Sequence, residues 1–103
     1  MIMSEWPAEL ATCTGFEWDA GNREKNWESH QVSAAECEQV FFERPLLIAR
    51  DSSHSHTEKR YAALGQTASG RRLTIVFTIR DDRVRVISAR AMSRRERRMY
   101  EQA

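Results

Sequence analysis

Cysteine, proline, glycine and lysine are all scarce in this chain. Its two cysteines, Cys13 and Cys37, are too few for a disulfide framework, and neither lies in a CxxC pair or at ligand spacing from a histidine. Two prolines and four glycines exclude a low-complexity or collagen-like chain. Cys37 falls in a helical pattern, so we expect a buried free thiol, although two cysteines could also form one disulfide.

Long hydrophobic runs are also absent, and the longest is only a few residues. This excludes a membrane-spanning helix, and the N-terminus has no basic segment followed by an apolar core, as a secretory signal would. We therefore expect a cytoplasmic protein. The 103 residues fit a single domain, which we place at residues 16–103. Residues 1–15 show no periodicity and predict an N-terminal extension, either partly disordered or lying on the surface.

Charge is abundant but unevenly distributed along the chain. Residues 1–70 carry six basic and eleven acidic side chains, whereas residues 71–103 carry ten basic and four acidic ones. Only two of the sixteen basic residues are lysines, and ten of the fourteen arginines follow residue 70. Such segregation indicates either a face that attracts polyanions or two halves that neutralise each other within the fold.

The apolar periodicity and the capping signals predict an α+β fold with the order α-α-β-β-β-β-α. Capping boxes S-x-x-E at Ser33 and Ser93 begin the second and third helices, and Asp19 can cap the first. Alternating Phe16 and Trp18 fit a short strand or an extended anchor. Short links between the last strands indicate an antiparallel four-stranded sheet with the helices packed on one face. The helices are expected at about 20–29, 32–42 and 94–102, and the strands at 46–50, 60–67, 73–80 and 83–90.

The last two strands form a hairpin whose turn we place at Asp81-Asp82. A two-residue turn there pairs positions whose numbers sum to 163. An apolar face then contains Val84, Val86 and every second residue from Leu73 to Ile79. The same register predicts Arg90 on this helix-facing side, beside Leu73, where Glu96 or Glu58 could pair with it.

The opposite face of this hairpin carries arginine. Thr78, Arg80, Arg83 and Arg85 all point away from the predicted core. Because forked guanidinium groups bind phosphate in a bidentate manner, this face could bind phosphate groups. A solvated outer face that uses arginine in place of lysine is the alternative.

The polar loop after the first strand contains His54 and His56, separated by one residue. A metal site would need further ligands, and no third ligand is evident in the sequence. We therefore expect no metal and no other cofactor.

Taken together, the ordered motifs make residues 16–101 similar to the BrnT toxins of bacterial BrnT–BrnA toxin–antitoxin systems. The pieces that carry the resemblance are FEWD at 16–19, Asn26, His30-x-Val32-Ser33, VFF at 40–42, EKRY at 58–61, LG at 64–65, RRLTIVFTIR at 71–80, RVRVISAR at 83–90 and RRERxxY at 94–100. The resemblance implies a RelE-like fold and a small ribonuclease that cuts RNA without a metal.

The chain departs from this family at two lysines and one glycine. The family typically reads K-H-G-V where this chain has Ser29-His30-Gln31-Val32. A lysine usual four residues after the Trp-Asp tryptophan is Asn22 here, and Lys25 lies at another helical angle.

The resemblance implies roles for particular residues in attack of a ribose 2′-hydroxyl on the adjacent phosphate. Arg60, Arg80 and Arg90 would stabilise the developing negative charge. His30 is the acid–base candidate by residue type, or else a helix-terminal histidine that caps carbonyls. Tyr61 would stack a base or donate a proton, unless it is a core tyrosine. Thr78, Arg83 and Arg85 complete the expected substrate contacts.

The resemblance also implies a partner, a BrnA-like ribbon-helix-helix antitoxin that would inhibit the toxin and link it indirectly to DNA. Inhibition of translation through RNA cleavage is the expected function. A binding module that contacts an antitoxin or nucleic acid without cleavage is the alternative favoured by the altered lysines. A purely structural subunit that self-associates through its charge asymmetry is a third alternative.

Overall fold

The computed structural model describes residues 6–51 and 58–103, and it has the expected α+β architecture. A short 3-10 helix, Ala8–Thr12, precedes the main elements. The elements then follow in the order β1 (Gly15–Glu17), α1 (Ala20–His30), α2 (Ala34–Val40), β2 (Leu47–Asp51), β3 (Arg60–Gln66), β4 (Arg72–Arg80), β5 (Arg83–Ala91) and α3 (Arg94–Glu101).

The described strands form one sheet in the order β1-β5-β4-β3-β2. Strands β2 to β5 are antiparallel neighbours, as expected, but β1 adds a fifth strand that runs parallel to β5. The prediction of a four-stranded antiparallel sheet was therefore wrong. The short strand that was one of the two alternatives for Phe16 is present at Gly15–Glu17, but its pairing with residues 83–85 of the sheet was not predicted.

All three helices begin at the side chains that the sequence indicated. Asp19 accepts hydrogen bonds from the backbone N–H groups of Gly21 and Asn22. Ser33 and Ser93 each begin a capping box, in which the serine and the glutamate three residues later satisfy each other's backbone N–H groups. These caps fix where the helices start and therefore which residues face the sheet.

Helices α1 and α2 cover one face of the sheet, which we call the core face. Val32, Cys37 and Val40 are fully buried there against Ile75 and Phe77. Gly65 of β3 allows a close approach to α2, because a Cβ at this position would lie only 2.6 Å from a methyl carbon of Val40. Cys37 is the buried free thiol that its helical position predicted.

Helix α3 packs on the opposite side of the sheet, which we call the outer face. Tyr100 and Met92 are buried with Leu64, whose strand neighbours Ala63 and Gly65 face the core. The Tyr100 hydroxyl donates a hydrogen bond of 2.6 Å to the carbonyl oxygen of Pro45. The prediction that all the helices pack on one face was therefore wrong.

The β4–β5 hairpin has the predicted turn, with positive φ angles at Asp81 (52°) and Asp82 (60°). The predicted register holds from Arg80–Arg83 to Phe77–Val86. A β-bulge at Ile87 then shifts the pairing by one residue. Arg90 consequently lies opposite Thr74 on the outer face, and its predicted position on the helix-facing side was wrong.

Residues 6–14 pack along the edge of the domain. Leu10 and Cys13 contact the core cluster, and the Trp6 indole N–H donates to the carbonyl oxygen of Leu46 at 3.1 Å. The guanidinium of Arg44 stacks on the Trp6 ring, 4.8 Å from its centroid. Residues 6–14 therefore lie against the rest of the domain. No helix in the described ranges is long and apolar enough to cross a membrane.

Candidate nucleic-acid interface

Basic side chains gather on the outer face at the end of the sheet that carries the β4–β5 turn. Arg60 follows the alternation of β3 to this face, because its neighbour Tyr61 pairs with Phe77 in the core. Arg80 and Arg83 pair directly across the turn, and Arg85 lies two residues further along β5. We call Arg60, Arg80, Arg83 and Arg85 the turn-end cluster.

Carboxylates accompany part of this cluster. The Arg80 guanidinium lies 3.5 Å from the carboxylate of Glu58 and keeps about half of its side chain exposed, at 48%. Arg85 is more enclosed and pairs with Asp19 at 3.5 Å and Glu17 at 4.0 Å. Arg83 is exposed at the start of β5. Arg80 and Arg83 are therefore the members that solvent reaches most easily.

Thr78 lies on the same face but has a structural contact. Its side chain is 1% exposed, and its hydroxyl donates a 2.7 Å hydrogen bond to the carbonyl oxygen of Lys59. This bond fastens β4 to the segment that carries Glu58 and Arg60. Thr78 thereby helps to hold Glu58 and Arg60 beside β4.

Tyr61 does not join the cluster. Its ring packs in the core beside Phe77, with the centroids 5.5 Å apart, and its hydroxyl lies 3.5 Å from a carboxylate oxygen of Glu9. Burial, together with the charge of Glu9, raises the pKa of Tyr61. The core position anticipated as the alternative is the one that the structure shows.

Arg90 lies on the outer face but away from the turn. Its partner Thr74 lies four positions from Thr78 along β4, a distance of roughly 13 Å. Its guanidinium forms a two-pronged ion pair with Glu96, at 2.7 and 2.9 Å, and this carboxylate also accepts from the Thr74 hydroxyl. The hydrogen bonds from Arg90, aided by the Ser93 backbone and Thr74, lower the pKa of Glu96 from 4.5 to about 2.

His30 lies at the far end of the sheet on the core-face side. It is exposed in the last turn of α1, where its carbonyl oxygen accepts a hydrogen bond from Arg71. Arg71 immediately precedes β4, and the two ends of this strand are roughly 26 Å apart. The structure therefore does not bring His30 to Arg80. His54 and His56 fall outside the described residues.

Glu58 was considered from the sequence only as a possible ion-pair partner of Arg90, and the structure pairs it with Arg80 instead. It begins the EKRY motif, and the structure places its carboxylate, a group that can act as a proton acceptor, beside the Arg80 guanidinium. Its spacing of two residues from Arg60 was visible in the sequence. The pairing with Arg80 depends on how β3 and β4 align, which the motif alone does not give.

Comparison with known proteins identifies the family. Residues 18–96 match the family model described as "Ribonuclease toxin, BrnT, of type II toxin-antitoxin system". This chain belongs to the BrnT family. The matched range contains the whole turn-end cluster as well as His30, Arg90 and Glu58.

The fold agrees with a solved BrnT structure. The crystal structure of the Brucella abortus ribonuclease toxin BrnT superposes with a TM-score of 0.56 and 19% sequence identity, covering 78% of this chain and 97% of that chain. At this identity the likeness shows the fold alone. A search of curated proteins finds no match.

The positions where this BrnT chain lacks a usual family lysine lie at the two ends of α1. Asn22 is in the first turn, where its backbone N–H is bonded to the Asp19 carboxylate that also pairs with Arg85. Ser29 is exposed in the last turn beside His30. The first change thus lies near the turn-end cluster and the second far from it.

Proposed function

We propose that this protein is the RNA-cleaving toxin of a type II toxin–antitoxin pair, that it acts in the cytoplasm and that a BrnA-like ribbon-helix-helix antitoxin neutralises it. Membership of the BrnT family supports the ribonuclease activity. The observation that carries the assignment of the site is the turn-end cluster, which gathers four arginines on one open face beside the Glu58 carboxylate.

The proposed reaction is metal-independent attack of a ribose 2′-hydroxyl on the adjacent phosphorus. Glu58 takes the hydroxyl proton as the O2′–P bond forms, and the P–O5′ bond breaks. The 5′ oxygen takes a proton from water at the open face, leaving a 2′,3′-cyclic phosphate and a 5′-hydroxyl end. Arg60 and Arg80 stabilise the negative charge of the phosphorane, while Arg83 and Arg85 hold neighbouring phosphates.

Single substitutions test this assignment through RNA cleavage by the purified protein. Arg80→Ala and Arg60→Ala remove positive charge from the transition state, so we expect each to lower the cleavage rate about 100-fold or more. Arg23→Ala is the matched control, because it removes an exposed arginine from α1 on the other side of the sheet. Cleavage that is unchanged in Arg60→Ala and Arg80→Ala would refute the cluster as the site.

The proton acceptor is tested separately. Glu58→Gln keeps the size of the side chain but removes its basicity, and we expect a loss of about 100-fold or more. His30→Ala should leave cleavage intact, because the length of β4 lies between His30 and Arg80. A loss of cleavage in His30→Ala would instead place the reaction on the core-face side, at the other end of the sheet.

The second candidate is a BrnT-like binding module that holds an antitoxin or RNA without cutting it. The neutral residues Asn22 and Ser29, at positions where the family usually has lysine, favour this candidate. Expression without the neighbouring antitoxin gene separates the two functions. Growth arrest together with RNA cleavage in vitro supports the toxin, whereas normal growth without cleavage supports the binding module.

A further inference from the structure

Helix α3 carries an uncompensated positive surface outside the turn-end cluster. Its four arginines are all exposed, whereas Tyr100 is buried and Met99 is partly buried against the sheet. We call these four residues the α3 arginine face: Arg94, Arg95, Arg97 and Arg98.

The acidic side chains of α3 do not neutralise this face. Glu96 is held by Arg90 and Thr74 of the sheet, and Glu101 pairs with Arg72. None of the four arginines forms an ion pair with another residue in the part of the chain that the structure describes. The helix therefore presents four positive charges to solvent within eight residues.

This arrangement works against the stability of the helix. Arg94 and Arg98 are four residues apart, and two further arginine pairs are three apart, spacings at which like charges destabilise a helix. Arg94 and Arg95 also lie in the first turn, where the helix dipole disfavours positive charge. Arg98 lies in the last turn, where the helix dipole favours a positive charge. The dipole gives no such reason for Arg94 and Arg95, and the repulsion between the closely spaced arginines would be relieved by an external anion.

We infer that the α3 arginine face binds the phosphate backbone of the RNA beyond the cleavage site. This inference rests on the proposed ribonuclease function. Helix α3 lies on the same outer face as the turn-end cluster, at the other end of the strands, and the Arg90–Glu96 pair links the helix to that face. A single strand lying along the outer face would meet both basic surfaces, and arginine forks suit phosphate oxygens.

The inference is tested with a single-stranded RNA whose riboses are all 2′-O-methylated, which cannot undergo attack by the 2′-hydroxyl. Its affinity is measured by fluorescence anisotropy between about 50 and about 200 mM salt. We expect Arg94→Gln with Arg98→Gln to weaken binding about 10-fold and to reduce the slope of log affinity against log salt by about 1.4, since each phosphate contact contributes about 0.7.

The matched control is Arg23→Gln with Lys25→Gln, which removes two exposed charges from α1. This control variant should bind RNA with an affinity and a salt slope within about twofold of those of the parent protein. If the α1 and α3 double variants weaken binding equally, the inference is overturned. Replacing Arg94 and Arg98 with lysine should retain the slope. Circular dichroism checks that each variant folds, and none of the changes touches Tyr100 or Glu96.

Other outcomes separate this inference from the proposed function. Unchanged RNA affinity in the α3 variant, with normal cleavage of unmodified RNA, refutes the inference and leaves the function standing. Weakened binding to the antitoxin with unchanged RNA affinity also refutes it and assigns the face to the protein partner. A parent protein that binds RNA through α3 but does not cleave it supports the inference and refutes the cleavage.

Discussion

Glu96 joins the end of the sheet to α3 through a single carboxylate. It accepts from Arg90, from the Thr74 hydroxyl and from the backbone N–H of Ser93, with oxygen–nitrogen and oxygen–oxygen distances of 2.7–2.9 Å. Because the pKa of Glu96 is lower in the folded protein than in the unfolded chain, its contribution is present above about pH 4.5. That contribution is lost as the pH falls toward about 2.

Substitution of Glu96 by glutamine should therefore reduce stability in a pH-dependent way. Near pH 7 we expect the free energy of unfolding to fall by about 1–2 kcal/mol, a value reduced for the partial exposure of Arg90. The difference from the parent protein should shrink on acidification and vanish near about pH 2. Urea unfolding across this pH range measures it, and a difference independent of pH would show that the ion pair is not its source.

Gln31 occupies the position at which the family's K-H-G-V segment has glycine. It terminates α1 in the left-handed conformation, with φ 57° and ψ 37°, a position that favours glycine. We expect Gln31→Gly to raise the free energy of unfolding by about 0.5–1 kcal/mol, measured by urea denaturation. Gln31→Ala removes the same side chain but keeps a Cβ, so it should give no such gain. Equal gains from both variants would contradict the backbone explanation.

At the level of single residues, the sequence predicted which arginines of the hairpin share a face of the sheet, but it left the position of Tyr61 open. Arg60, Arg80, Arg83 and Arg85 do share one face, because strand alternation and the turn register determine it. Tyr61 is adjacent to Arg60 in the sequence, and this same alternation sends it into the core. The catalytic and binding roles of all these residues remain predictions.

At the level of elements, the β-bulge was the main feature that the sequence could not reveal. Ile87 fits a regular strand, and no glycine or proline marks the extra residue. The irregular stretch of β5 contacts α1, where the Asn26 side-chain oxygen accepts a hydrogen bond from the Ala89 N–H at 3.2 Å. This contact joins residues 63 positions apart, so local pattern gave no sign of the shift that moves Arg90 to the outer face.

The turn between β4 and β5 lacks the glycine that its conformation favours. Both aspartates have positive φ, which a type I′ turn requires, whereas glycine is preferred at the second position. Asp82→Gly should stabilise the protein by about 0.5–1 kcal/mol, measured by thermal and urea unfolding. Asp82→Ala removes the same carboxylate but retains backbone strain, so we expect a loss. Stabilisation by both variants would instead indicate relief of charge repulsion.

At the level of the whole molecule, the charge asymmetry has two outcomes. Part of it is neutralised between the two halves of the chain, as in the pairs Arg71–Glu36 and Arg80–Glu58. Another part stays exposed, in Arg83 and in the α3 arginine face. Neutralisation between the two halves, one of the two alternatives drawn from the charge count, thus accounts for part of the charge, and attraction of a polyanion by the exposed part stays a prediction. Composition gave the excess of arginine, but only the pairing of strands and helices shows which charges remain for a partner.

Cys37 offers a reporter of whether the domain unfolds as one unit. Its thiol is completely buried between α2 and the sheet, and burial raises its pKa from 9.0 to about 12. The neutral thiol is thus favoured in the folded state, so stability should decline as the pH rises above about 9.

In a Cys13→Ser background, we expect a thiol reagent at about pH 8 to label Cys37 only through opening of the core. Labelling should then follow the unfolding free energy measured by urea as denaturant is added. Fast labelling without denaturant would instead show that α2 detaches locally while the sheet remains folded.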